Sequence, residues 1–380
     1  MANRRTMLQN INHRKQIMLN SIQLLRIIAA LLVFCAHIPK WAFPLSNEFN
    51  CSRNSLICGA SGVDIFFCIS GFLMYVTTLK KTHGFRTSSA FLARRIFRIW
   101  PLYILATVAY FSYWQVPIES YIRPLSFMPI PQDVGFRDPP ISAGWTLNFE
   151  MYFYMITAAL LLTQWKVKGA AAAVLALGLI GIISSNIIYF TASIIIEFAF
   201  GILIGIIYSN KIIWNNIKLY RRPLILGAVL LFICSIHGTD WPKDPGPSVA
   251  RMDVLIYYGD LALPRFLGWG FPAFLLVLSV MLFEEKISDS TAFLGDYTYA
   301  FYLLHLPAAW WLEVYSKTLE KTTYDFMYSS GGFFVVLTMS LVIMSVASFH
   351  LVERPFQLLG GKIARRIEVR SKSGMLKASV

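Results

Sequence analysis

The apolar run LLRIIAALLVFCAHIPKW, residues 24–41, carries two ionisable side chains, Arg26 and His37. Each costs several kcal/mol, roughly, if left unpaired in hydrocarbon. Eleven residues of α-helix rise about 16 Å and return to nearly the same face. The two groups therefore point one way from different depths. Taken singly, Arg26 reads equally well as a snorkelling anchor, and His37 as an interfacial histidine beside Pro39. Together they suggest anion binding at one depth and proton transfer at another.

Other apolar runs repeat the pattern. GASGVDIFFCISGF (59–72) holds Asp64, with Gly59, Gly62 and Gly71 allowing close helix approach. Asp64 is the expected partner of His37 at similar depth, unless it forms a structural ion pair. FLARRIFRIWPLY (91–103) places Arg95 and Arg98 three apart, on one helix face, with Pro101 marking entry to the next span. Arginine forks suit phosphate; Arg94 reads as topogenic charge. GWTLNFEMYFY (144–154) carries Glu150, expected level with His37, and Trp145 as an interfacial anchor. Glu197 lies in IIIEFAFGILIG, and Tyr302 and His305 meet at i, i+3 in YAFYLLHLP. His305 reads equally as a packed histidine beside Pro307. Glu353 and Arg354 in VERPF read as an end-cap and ion pair.

Long helices in lipid must position these groups. Of 380 residues 56% are hydrophobic and 14% charged, against about 25% charged in a soluble domain. The apolar residues run unbroken and show no amphipathic stripe, which excludes a soluble globular domain. The expected fold is all-α: a polytopic integral membrane protein of about ten transmembrane helices. The spans lie near 21–42, 56–79, 99–116, 145–165, 169–188, 191–209, 223–238, 264–283, 292–315 and 331–352. Basic residues before the first span and after the second, fourth, sixth and tenth put both termini in the cytoplasm. Topology thus accounts for the net charge of +14 without nucleic acid as a partner. The membrane domain is expected over 21–356, with basic tails at 1–20 and 357–380 lying on anionic lipid. The Pro-rich loop 117–144 reads as a structured or re-entrant segment, and the loop 239–262 is similar. No cysteine pair has zinc-site spacing with histidines, so no metal is expected. Cys51 and Cys58 would form a disulfide if their loop faces an oxidising compartment.

On these motifs the chain resembles the acyltransferase-3 family of membrane O-acyltransferases, over about 21–356. Arg26 and His37 fit its Arg/Lys-x10-His pattern, Arg95 and Arg98 its Arg-x-x-Arg motif, and WTLNFE its Trp-Ser/Thr-Leu-x-x-Glu pattern ending on Glu150. GVDIFFCISGF, YAFYLLHLP and VERPF match further signatures in order. The wording looks most like the exopolysaccharide acetyltransferase branch. The resemblance implies acetyl transfer from cytosolic acetyl-CoA, a substrate and not a bound cofactor, to a carbohydrate hydroxyl at the outer face of a bacterial inner membrane. Arg26, Arg95 and Arg98 would serve the donor. His37 would carry the transfer, as a base or as an acyl-histidine, supported by Glu150 and Asp64. Polysaccharide-assembly proteins are further expected partners. The rival reading is a proton-coupled transporter using His37, Asp64, Glu150 and Glu197 as a relay. It lacks the paired broken helices of inverted repeats.

Overall fold

The computed structural model describes residues 19–38, 58–114, 117, 122–131, 136–137, 139–183, 189–234, 266–316, 318, 325 and 331–377. Twelve main helices follow in order: α1 Asn20–His37, α2 Gly62–Thr78, α3 Phe85–Trp114, α4 Trp145–Leu160, α5 Lys166–Ile183, α6 Ile196–Ser209, α7 Lys211–Leu219, α8 Arg221–Cys234, α9 Phe271–Met281, α10 Thr298–Ser316, α11 Gly332–Ser348 and α12 Arg354–Lys377. The described strand content is one antiparallel pair, Ile130–Pro131 with Phe136–Arg137.

Four helical stretches among the described residues are long and apolar enough to cross a membrane, or five if the bent pair α6–α7 counts as one span. Their outer faces confirm the solvent. Ile183 on α5 is 84% exposed and Ile343 on α11 is 64% exposed. Apolar belts of this kind belong against lipid. The chain is a multi-pass membrane protein.

Glycines set the tightest helix crossing. A Cβ on Gly71 of α2 would lie 2.0 Å from the Phe198 carbonyl oxygen of α6, and one on Gly201 the same distance from the Cys68 carbonyl. Only glycine permits backbones this close, which is how helices gain dispersion contact in lipid. Beside that crossing, Phe198 stacks between Phe67 and Phe153 at 4.5 and 4.2 Å. Gly62 gives α1 the same access, its Cβ position being 2.5 Å from the Ala29 carbonyl.

Three elements depart from the sequence reading. The span expected at 99–116 belongs to a 30-residue helix that begins at Phe85. Pro101 lies inside it and does not mark its entry. A proline costs only the hydrogen bond to residue 97 when neighbouring helices hold the axis. The basic segment after Ser209 turns by 97° and continues as α7. Asn210 caps α7 by accepting from the Ile212 and Ile213 N–H groups. Its apolar residues Ile212 and Ile213 stay exposed, as on a helix lying in a membrane interface. Finally, α11 passes through a π-helical turn, Phe349–Glu353, straight into α12. The basic stretch after residue 356 is therefore helical through Lys377. The loop at 239–262 lies outside the described residues.

Candidate functional site

The site is built where α1, α2, α3, α4 and α10 face one another. Between them lies a narrow cavity of about 70 Å³. Arg26, Arg95 and Arg98 converge on it, joined by Glu150, Tyr154 and Tyr302. Arg95 and Arg98 also line a wider vestibule of about 290 Å³, with Lys81, Arg94 and Thr87 at its rim. The two spaces therefore meet at the arginine pair on α3. The i, i+3 spacing of that pair puts both guanidinium groups on the inner face, as the sequence pattern required.

Each arginine is held differently. Arg95 is buried, its guanidinium 5.3 Å from the Tyr154 ring centroid and 5.5 Å from that of Phe91. Its Nη2 donates to Thr77 Oγ1 at 3.3 Å. The aromatic faces supply cation–π attraction where water is excluded. Arg26 donates from Nη1 to Gln23 Oε1 at 3.1 Å. The charges acting on it come from Arg98, Glu353, Asp296 and Glu150. Arg94 pairs instead with Glu368 of α12 at 3.0 Å, a carboxylate it shares with Lys81 at 3.0 Å.

Glu150 accepts from Ser70 Oγ at 3.0 Å and from the Tyr154 hydroxyl. A chain thus runs from Arg95 across Tyr154 to Glu150. Glu150 was expected level with His37; it shares the arginine cavity instead. The reason is the start of α4. Trp145 is 6% exposed and packs edge-on against Phe149, so it is a core residue and not an interfacial anchor. A helix that begins inside the bundle carries Glu150 deeper than a helix beginning at the lipid surface.

His37 ends α1 and is exposed. Its neighbour is His305 of α10, with ring centroids 5.1 Å apart. The expected pairing with Asp64 is not the contact found. Asp64 is fully buried on α2 and shares its surroundings with Cys68 and Glu197. Glu197 packs against Gly270, whose Cβ position is 2.6 Å from its Oε1. Neither carboxylate lines the cavity or the vestibule. Tyr302 ties α10 to α4 through its hydroxyl, 2.9 Å from Thr146 Oγ1.

The shared face of Arg26 and His37 does meet one partner helix. Thr298 and Tyr302 of α10 line the cavity with Arg26, and His305, one turn beyond Tyr302, meets His37. Sequence reasoning undervalued Glu353. It is 3% exposed, and one of its oxygens is buried with no hydrogen-bond partner. A carboxylate inside an apolar run was the available signal. Among the described residues no group of three or more His, Cys, Asp or Glu side chains is placed to hold a metal ion.

Polar side chains converging inside a lipid-facing bundle define a multi-pass membrane protein with an internal polar cavity. The chain belongs to the acyltransferase-3 family: the family's profile, an acyltransferase domain, matches residues 19–349. The protein is an acyltransferase. It is 29% identical over 329 residues to the exopolysaccharide production protein ExoZ of Rhizobium meliloti (strain 1021), covering 81% of this chain and 92% of that protein. Nodulation protein 10 of Rhizobium leguminosarum bv. viciae is 29% identical over 189 residues, 43% of this chain and 49% of that one. No solved structure matches the chain.

Proposed function

We propose that the protein is an O-acetyltransferase of the bacterial inner membrane. Its donor is cytosolic acetyl-CoA, and its acceptor is a hydroxyl of an exopolysaccharide glycan or its lipid-linked precursor. The observation that carries this reading is the convergence of Arg26, Arg95 and Arg98 on one internal cavity that shares Arg95 and Arg98 with a second, basic vestibule. Three guanidinium groups face the single carboxylate of Glu150 in that cavity, which leaves positive charge for a bound anion to offset. A phosphate-bearing thioester answers that need. The vestibule suits its phosphates, and the narrow cavity admits only a slender arm of the molecule.

At the far end His37 takes the proton from the acceptor hydroxyl, whose oxygen attacks the thioester carbonyl. The C–S bond then breaks, and the proton passes to the departing thiolate. ExoZ, by its name a protein of exopolysaccharide production, supports a polysaccharide acceptor. Cys58 is disulfide-bonded. That fits an oxidising compartment at the His37 end. Its expected partner Cys51 lies outside the described residues.

His37→Ala tests the reading. Acetyl-CoA should still raise the melting temperature of the purified variant, while O-acetyl groups disappear from the host glycan. Unchanged acetate in a variant that inserts normally would overturn the role of His37. Absence of acetyl-CoA stabilisation in the wild type would overturn the donor.

A further inference from the structure

The two histidines have the same tautomer. His37 Nδ1 lies 2.7 Å from the Val33 carbonyl oxygen, and His305 Nδ1 lies 2.5 Å from the Tyr302 carbonyl oxygen. A carbonyl only accepts, so each Nδ1 must carry the proton. Each Nε2 therefore presents a lone pair. The Nε2 of His305 is buried and makes no hydrogen bond among the described residues. An unsatisfied ring nitrogen at 2% exposure costs free energy unless another step uses it.

His37 is exposed and can meet an incoming hydroxyl; His305 is sealed behind it. With centroids 5.1 Å apart at 57°, the two rings are direct neighbours. Catalytic hydrogen bonds often tighten only in the substrate complex. Phe34 packs edge-on at 6.5 Å from His305 and stacks on Phe334. Among the described residues the titratable groups facing His305 are His37 from α1 and Tyr302 from its own helix. No described carboxylate competes with His37 for it.

We propose that His305 is the positioning residue of the transfer: its Nε2 shares the proton that His37 Nε2 removes from the acceptor hydroxyl. This rests on the acyl-transfer reading given above. Two imidazoles with one proton between them form a charge-assisted N–H···N bond, stronger than a neutral one. The bond stabilises the imidazolium as it forms. Orientation of the His37 ring comes from the Val33 carbonyl on Nδ1, the position a carboxylate holds in a serine-type triad. The proton stays in the pair while the acyl C–O bond forms and the C–S bond breaks. It then leaves on the thiolate, so the pair returns to its starting state.

The test uses the purified full chain in detergent micelles, where both faces are open to solution, with radiolabelled acetyl-CoA and host exopolysaccharide stripped of its esters with mild base. His305→Gln keeps an acceptor near the Nε2 position but takes up no proton. His305→Asn keeps the donor to the Tyr302 carbonyl and removes Nε2. Both should lower kcat by about 10²–10⁴-fold, the range of general-base effects, with KM for acetyl-CoA unchanged. The pH dependence of kcat should show two linked ionisations in the wild type and one in His305→Gln. A variant with wild-type kcat, or an unchanged pH profile beside a raised KM, would overturn the proposal. A wild type that transfers no label at all would instead overturn the acyl-transfer reading.

Discussion

At the scale of single residues, charge balance inside the bundle decides what the cavity can hold. Arg26, Arg95 and Arg98 face it, and Glu150 answers them directly. Glu353 acts on Arg26 from the π-helical turn between α11 and α12. Converting Glu353 to glutamine removes the buried carboxyl group that acts on Arg26 and leaves the shape. The apparent melting temperature should drop by several degrees, on the order of 1–3 kcal/mol for an uncompensated buried group. If acetyl-CoA binds as proposed, it should recover part of that loss, because its phosphates bring negative charge to the same arginines. A thermal-shift titration of Glu353→Gln against wild type reads both effects. An equal shift from acetyl-CoA in the two proteins would remove Glu353 from the charge balance. The three arginines and Glu150 were legible in sequence because ionisable groups in apolar runs are few. The grouping of the arginines was legible too; the place of Glu150 among them was not. Depth was inferred from helix starts, and the buried start of α4 moved Glu150 from the histidines to the arginines. His305 as the neighbour of His37 was hidden for another reason: only packing shows which helix stands opposite α1.

At the scale of elements, distant carboxylates hold the helix ends that sequence alone leaves open. The first two N–H groups of α1, at Asn20 and Ser21, donate to the Glu284 oxygens at 2.7 and 2.8 Å. No local residue caps this helix, so no capping motif announced the arrangement. A carboxylate at a helix N-terminus is favoured by the orphan donors and by the macrodipole. The adjacent Glu285 ties Arg221 at the start of α8 to Lys218 at the end of α7. Its own backbone N–H and the Arg221 guanidinium hold its carboxyl down to about 2. The folded form therefore prefers the ionised carboxylate. Its contribution is complete above about pH 4.5, the ordinary carboxylate value, and is lost as pH falls toward 2. The Glu285 side chain is 46% exposed, so solvent screening limits the effect to about 0–1 kcal/mol. Melting curves of wild type and Glu285→Gln in detergent should differ slightly at pH 6 and coincide near pH 2. A gap that widened with acidity would contradict the assignment. The positions of α1, α2 and α5 were readable from apolar length alone. The extension of α3 back to Phe85 was not, because its first turns are polar and gain their order from α12 packed alongside. Glu368 of α12 marks that contact by bridging Lys81 and Arg94.

For the whole molecule, polarity along the bundle axis ties topology to chemistry. One end gathers Lys81, Arg94, Arg98, Lys218 and Arg221, together with the α12 helix. The other carries His37 and the disulfide-bonded Cys58. A polyanionic thioester does not cross hydrocarbon, so the arginine cavity can serve an internal donor only if the basic end faces the cytoplasm. The positive-inside rule independently demands the same orientation. Site-directed labelling decides it. In a background where Cys35, Cys68 and Cys234 are replaced by serine, Lys218→Cys and Lys362→Cys place single thiols at the basic end. A membrane-impermeant maleimide should label both in inverted vesicles and neither in intact cells. With the native cysteines at 51 and 58 retained, the same reagent should label intact cells only after reduction, at the opposite end. Labelling of Lys218→Cys in intact cells would reverse the orientation. The vestibule would then open away from the acetyl-CoA pool, and the arginines would have to bind an anion delivered from outside. The orientation measurement therefore tests the donor assignment without any assay of transfer.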